Sequence, residues 1–245
     1  MIKNLTIAMP YYESPEMLRT HLQYWSEYPE EIWDKVRVVI VDDGSPKHPA
    51  IHVLKGQKSK ISIELYRITE NIPWNIPGVR NLCMSVIKEE DQMILNTDMD
   101  LVLPKESIEE LFRIDLDTEK TYWLSRKQLN GGKWKDIKLH KETFIMTSEM
   151  FWSIGGFDED FTGYWNGAFY PFIKNWKKRS HPIVLDSVYL LDYSTLVDDA
   201  TVKDWGREKS SYDLKLSPIL VRKQHQAAYN YSPENYLRFN WERVI

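Results

Sequence analysis

A single cysteine, Cys83, rules out any intrachain disulfide and fits a reducing compartment. No apolar run approaches the roughly 20 residues that a membrane-spanning helix needs. The opening stretch, Met1 to Tyr12, lacks the apolar core of a signal peptide, because Tyr, Glu and Pro follow too soon. There is no basic excess either. A formal net charge of -4 and a pI near 5.9 argue against wholesale binding to nucleic acid. The one tight basic run, Lys177-Lys178-Arg179, reads as a solvated helix end. No internal repeat or low-complexity tract is visible. These absences describe a cytoplasmic protein with no transmembrane segment, with peripheral contact at a membrane left open.

What is present suits a folded enzyme. The 245 residues allow one large α/β domain, or a domain with a short appendage, and 42% hydrophobic residues are enough for its core. Ten Trp and fourteen Tyr are a heavy aromatic load. Most belong in the core, and a minority in loops can stack on sugars or nucleobases.

Along the chain, apolar runs alternate with helical patterns. Leu5 to Met9 reads as a first buried strand ended by Pro10. Ser14-Pro15-Glu16 then has the form of an N-cap, a first-turn proline and an acid, opening a helix to about Glu27. Val36 to Val41 is a second strand, stopped by Asp42-Asp43-Gly44-Ser45, and Ile61 to Ile68 a third. A Pro/Asn-rich loop, Asn71 to Gly78, leads to a helix over Val79 to Lys88. Met93 to Leu95 is a fourth strand, running into Asn96-Thr-Asp-Met-Asp100, and a helix from Pro104 and Ser107 follows. This alternation predicts a mostly parallel sheet flanked by helices, with ligands at the carboxyl ends of its strands. The loops Pro10–Glu13, Asp42–Ser45 and Asp98–Asp100 all fall at that edge.

Beyond residue 120, Tyr122 to Leu124 and Glu142 to Thr147 read as strands with Gly131-Gly132 as a turn between them. Met150 to Ile154 is a short helix, and Phe169 to Trp176 an aromatic-rich one. The division expected is a main domain over 1–197 and a C-terminal extension over 198–245, packed on the same body.

The chemistry gathers at Asp98-Met99-Asp100. Two carboxylates one residue apart at a strand end can hold a hard divalent cation, Mn²⁺ or Mg²⁺. That cation can bridge a diphosphate and stabilise charge on a departing nucleotide. An Asp-x-Asp triplet alone is weak evidence, since many surface turns contain one. The order of five segments is stronger: Leu5–Tyr12, Val39–Ser45, Asn71 with Gly78–Asn81, Asp98–Asp100 with Pro104, and Gly155–Glu159. In that order they resemble the GT-A glycosyltransferases, especially the family-2-like group, over about residues 4 to 175.

The resemblance implies a GT-A fold and transfer of a sugar from a UDP- or GDP-sugar to a glycan or other hydroxyl acceptor. It places Pro10, Tyr11, Glu13, Asp42, Asp43, Arg80 and Asp98 around the donor, with Asp42 or Asp43 accepting from a base ring N–H. Asn71 and Asn81 are implied beside the donor as well. Asp98 and Asp100 are the implied metal ligands. Asp192 is favoured as a third over His225, with His181 also available. Arg80 as a donor-site fork and Arg80 as a surface ion-pair residue stand level on chemistry alone. Cys83, at helical spacing, reads as a small buried hydrophobe. Tyr164, Trp165, Phe169 and Tyr170 read as core before sugar platform.

One departure stands out. Many inverting relatives carry a Glu-Asp pair after the Gly-Gly-Phe turn, whereas Gly163 to Phe169 has no acid and Asn166 stands in that stretch. Asp158 is the favoured catalytic base, with Glu159 and Asp160 beside it. A retaining mechanism or lost activity would explain the same gap. A non-catalytic sugar-nucleotide or glycan binder is therefore the main rival reading. A nucleotidyltransferase is a weaker one, since Pro10-Tyr11-Tyr12-Glu13 is no glycine-rich phosphate loop.

Overall fold

The computed structural model describes residues 4–88, 92–164, 167–201 and 236–245. Asn166, Trp165 and His225 lie outside the described residues. Among the described residues, ten strands form one mixed, mostly parallel sheet: β1 Leu5–Tyr11, β2 Val36–Asp42, β3 Ser62–Ile68, β4 Met93–Asn96, β5 Leu101–Val102, β6 Tyr122–Asn130, β7 Lys133–Ile137, β8 Phe144–Met146, β9 Ile183–Asp192 and β10 Trp241–Arg243. The order is β10-β3-β2-β1-β4-β8-β6-β9-β5, with β7 hairpinned onto β6. Strands β3, β2, β1 and β4 run parallel.

Both faces of this sheet are covered, so alternate residues of one strand enter different cores. Leu5, Ile7, Met9 and Tyr11 of β1 pack with Met17, Leu18 and Trp25 of helix α1 (Pro15–Ser26) and with Ile108 and Leu111 of α4 (Lys105–Arg113). The short helix α2 (Ala50–Leu54) joins the same core. Ala8 faces the other way, toward Val79, Leu82 and Cys83 of α3 (Ile76–Val86). The aromatic residues of α5 (Ser148–Ile154) and α6 (Phe169–Arg179) complete that second core. Cys83 is buried there as the sequence implies, and burial pushes its thiol up to about 12, so it is a packing residue.

Three local expectations change. Strand β1 continues through Pro10, because its pairing with β4 stops at Ala8↔Asn96 and the proline has only one neighbouring strand to satisfy. Gly131 and Gly132 do not separate two distant strands. Both take positive φ, at 60° and 75°, and turn β6 directly into β7. β7 escapes notice because Lys-Trp-Lys-Asp-Ile carries little apolar signal. Ser14 holds the N-cap position of α1, but its hydroxyl donates to the Tyr12 carbonyl. The cap is Asp199, whose carboxylate accepts from the Glu16 and Met17 amides at 2.6 and 2.9 Å.

The last ten residues are tied to the body. Glu159 accepts from the Leu237 and Arg238 amides, Arg238 pairs with Asp160 at 2.7 Å, and β10 pairs antiparallel with the outer edge of β3. No described helix is long and apolar enough to cross a membrane.

Candidate active site

The parallel register brings the anticipated loops together. Tyr11 lies opposite Asp42 and Ala8 opposite Asn96, so the chain leaves β1, β2 and β4 at one edge. Backbone bonds from Asp43 to the Tyr11 carbonyl (2.9 Å) and from Thr97 to the Ala8 carbonyl (3.0 Å) lock these exits side by side.

At the end of β4, Arg80 reaches up from α3. It is 1% exposed, and its Nη2 donates to Asp98 Oδ1 at 2.5 Å. Its Nη1 meets the carboxylate and the carbonyl of Glu142, each at 3.3 Å. Of the two readings of Arg80, the surface ion pair is excluded by this burial. His140 Nδ1 lies 3.4 Å from the other oxygen of Asp98. Burial alone would raise the Asp98 pKa, but the guanidinium and, secondarily, His140 hold it below the ordinary range.

Asp100 has the opposite surroundings. Burial, the Asp98 charge and the Asp192 charge together push its carboxyl up to about 8. Asp192 is near because β5 pairs with β9 at Leu101↔Asp192, and Tyr193 N–H donates to the Asp100 carbonyl at 2.8 Å. The Asp192 carboxylate accepts from Ser194 N–H and faces Arg126 at 3.3 Å. Among the described residues, no three metal-binding side chains converge closely enough to hold an ion by themselves. The donor set of Asp98 and Asp100 still fits a hard cation, since such an ion would relieve the repulsion that raises Asp100. Asp192, paired with Arg126 and its own turn, is a neighbour of the pair.

Beneath the triplet, His21 of α1 is buried and its Nε2 lies 2.7 Å from the Met99 carbonyl. Burial lowers its pKa to about 4, so at neutral pH the ring is uncharged and donates to Met99. The sign for stability follows. The unfolded chain takes up this proton near pH 6.5 and the folded one only near 4, so stability falls as pH drops across that interval. A pKa gap of this size corresponds to a loss of up to ~3 kcal/mol. Urea titrations of the metal-free protein at pH 4, 5 and 6.5 should show that slope, and His21→Gln should flatten it.

Several anticipated donor residues have other partners. Tyr11 is fully buried under α1, its hydroxyl donating to the His48 carbonyl, because its β1 position points it into the first core and not the cleft. Pro10 is buried within the strand. Glu13, at φ 51°, accepts from the Lys47 and His48 amides and so braces the loop after β2. Both Asp42 oxygens accept backbone N–H bonds, from Ser45 at 2.8 Å and Ala50 at 2.9 Å. Asp43, the next residue, is 3% exposed.

The glycine-rich turn shows the same pattern. Gly155 caps α5 at φ 113°. Gly156, at φ 62°, has no room for a side chain: a Cβ would lie 2.8 Å from the Trp152 ring. Asn81 is wholly buried and bonds the Phe157 amide, the Phe157 carbonyl and Glu159, so it fastens α3 to this turn and does not face a donor. Asn71 is exposed and accepts from the Tyr12 hydroxyl at 3.4 Å. Asp158, the favoured base, is 4% exposed and accepts from the Asp160 amide as a cap. Tyr164 and Phe169 pack against the second core, whereas Tyr170 is 53% exposed and is not a core residue. His181 follows α6 at the start of β9, the end of that strand away from Asp192.

Sequence reasoning missed Glu142 and His140. Glu142 was placed at the head of a strand, but it precedes β8 and lines a small cavity with Trp74, Arg80, Phe157 and Tyr164. Burial pushes its carboxyl up to about 7 against the pull of Arg80. The only sequence signal was the polar run His140-Lys141-Glu142 just ahead of an apolar strand.

A mixed sheet of this order, with an aspartate pair at the carboxyl end of its central strand, defines a GT-A type glycosyltransferase fold. The chain belongs to glycosyl transferase family 2, whose family model matches residues 6–182. Among solved structures, residues 1–349 of S. aureus TarS in complex with UDP are 17% identical at TM-score 0.59, over 77% of this chain and 60% of that one. The mannosyltransferase PcManGT from Pyrobaculum calidifontis, in complex with GDP-Man and Mn²⁺, is 17% identical at TM-score 0.57, over 78% and 57%. GalNAc-T7 with UDP, GalNAc and Mn²⁺ is 12% identical at TM-score 0.58, over 78% and 44%. The chain thus spans 60% or less of each of these structures. No curated protein matches.

Proposed function

We propose that this protein transfers a glycosyl group from a UDP- or GDP-sugar to a hydroxyl acceptor, with Mn²⁺ or Mg²⁺ held by Asp98 and Asp100. The observation that carries this reading is the aspartate pair at the end of β4, with Asp98 ion-paired to the buried Arg80 and Asp100 brought beside Asp192 by the pairing of β5 with β9. The nucleotide-bound structures of the three similar proteins, two of them with Mn²⁺, support it. When bound, the cation neutralises the diphosphate and the charge that builds on the departing nucleotide.

The protein's own groups take distinct roles. Arg80 keeps Asp98 ionised and oriented. Because Asp42 is committed to its turn, we assign contact with the nucleobase ring N–H to Asp43. The acceptor proton we assign to Glu142 and not to Asp158. Asp158 is a buried cap and Glu159 and Asp160 hold the C-terminal segment, whereas Glu142 lines the cavity beside Arg80 with a pKa near the optimum for a base at neutral pH. Glu142→Gln should keep donor and Mn²⁺ binding while lowering kcat by about 100-fold, the usual scale for a general base. A raised donor KM with kcat unchanged would instead make Glu142 a contact to the donor sugar.

The functional test is a thermal-shift and donor-hydrolysis panel of UDP- and GDP-sugars with Mn²⁺. Metal-dependent stabilisation and slow hydrolysis of one donor are the expected result. Stabilisation without turnover, even with a panel of acceptors, would favour the non-catalytic binder. A folded protein that responds to no donor would remove the assignment.

A further inference from the structure

The β6–β7 hairpin has a charge unlike the rest of the chain. Between Tyr122 and Lys141 there are six Lys or Arg and one acid, Asp136, in a protein whose net charge is -4. The register sorts these groups by face, because residues directly opposite in an antiparallel pair point the same way. Arg126, Gln128 and Asn130 stand opposite Ile137, Lys135 and Lys133, so these six share one face. Lys127 and Leu129 stand opposite Asp136 and Trp134 on the other. That other face covers the body: Trp134 packs at 5.7 Å on Tyr193, and Lys127 lies 3.7 Å over the Tyr189 ring. The lone acid, Asp136, is itself exposed but stands on the opposite side of the hairpin, and the face with Lys133 and Lys135 has none.

This cationic face leads to the donor site. At its inner end Arg126 meets Asp192, the neighbour of Asp100. The chain leaving β7 returns through His140 and Glu142, which contact Asp98 and Arg80. At its outer end Lys133 and Lys135 are exposed, and Lys138 and Lys141 beyond them are exposed as well. Among the described residues none of these four lysines is in an ion pair. Four residue steps from Arg126 to Asn130 span about 13 Å. That length accommodates two or three charges of a polymer.

We propose that the Arg126–Lys135 face of the hairpin is a binding track for a polyanionic acceptor, a chain bearing repeated phosphate or carboxylate groups. The track delivers one of the polymer's hydroxyls to the donor site, and in that respect it rests on the function proposed above. Its exposed lysines supply affinity and on-rate through long-range attraction, which salt screens.

The test uses the full chain, with inorganic polyphosphate and polygalacturonate as polyanion probes, dextran as the neutral one, and phosphatidylglycerol vesicles. Wild type should bind at least one soluble polyanion and not dextran, with affinity falling about tenfold or more between 50 and 300 mM NaCl. Binding only polyphosphate would identify a phosphate chain, and only polygalacturonate a carboxylate chain. K133S/K135S should weaken binding about tenfold, and K133E/K135E more, with melting temperature and the donor-plus-Mn²⁺ thermal shift unchanged. The control K177Q/K178Q, on α6, should bind like wild type. Equal loss in that control, binding to the vesicles alone, or no binding to any soluble polyanion would overturn the proposal. Failure of the donor reading would appear separately, as a wild-type protein with no donor-dependent shift.

Discussion

Asp100→Asn is expected to lower transfer about 10²–10³-fold and at the same time to stabilise the metal-free protein. The first effect follows, under the proposed function, from losing one of the two oxygen ligands proposed for the cation at the point where leaving-group charge develops. The second follows from the raised carboxyl. Folded Asp100 holds its proton to about pH 8, whereas an unfolded aspartate releases it near 4. The folded state therefore binds more protons across that interval, and stability of the metal-free protein falls as pH rises through it. Asparagine removes the charge and the penalty with it. The full shift would amount to about 5 kcal/mol, but the carboxyl is only partly buried, and solvent screening reduces this to about 1–2 kcal/mol at pH 8. Differential scanning calorimetry at pH 8 should show the variant melting about 2–6 °C higher without metal. Saturating Mn²⁺ should narrow or reverse the difference, because the ion stabilises only the protein that retains the ligand. A variant that melts lower in the absence of metal would refute the repulsion. One with full activity would remove Asp100 from the site.

Arg80→Met should cost about 3–5 kcal/mol, the usual scale for breaking a buried ion pair from one side. The guanidinium is almost wholly buried and faces two carboxylates, so its removal leaves Asp98 and Glu142 without their main counter-charge. Removing the charges that depend on it should restore stability: Arg80→Met/Asp98→Asn/Glu142→Gln is expected to recover most of the loss in urea unfolding. Arg80→Lys should recover only part, because a single ammonium cannot bridge both partners as the planar fork does. A loss below about 1 kcal/mol would mean that the group behaves as a solvated surface pair. This triad also bears on function. Under the proposed function the same arginine holds Asp98 ionised for a cation and keeps Glu142 at the edge of the cavity.

Four residues of the motif segments share a structural role. Tyr11, Asp42, Asn81 and Asp158 all lie in motif segments, and each is engaged in holding such a segment in shape. Tyr11 is turned into the core by strand alternation, and Asp42 ties its own turn with both oxygens. Asn81 clamps the Phe157 peptide, and Asp158 caps the short turn behind it. A motif reports which residues a local structure needs, and the residues that build a site look no different in one dimension from those that face the ligand.

The sequence by itself determined the alternating β and α pattern, the loops at one sheet edge, the aspartate pair after β4 and the glycine turn after α5. These depend on periodicity, turn chemistry and neighbours a few residues apart, which a single chain displays directly. Only the tertiary structure decided which charges meet. Arg80 finds Asp98 and Glu142, His21 finds Met99, Asp199 caps a helix 183 residues earlier, and Glu159 holds the final segment. Such pairings depend on strand order and register, and so does the single cationic face of the hairpin. Both emerge only when the whole core is packed, because burial and the nearness of other charges, not residue identity, set each group's charge state and partner.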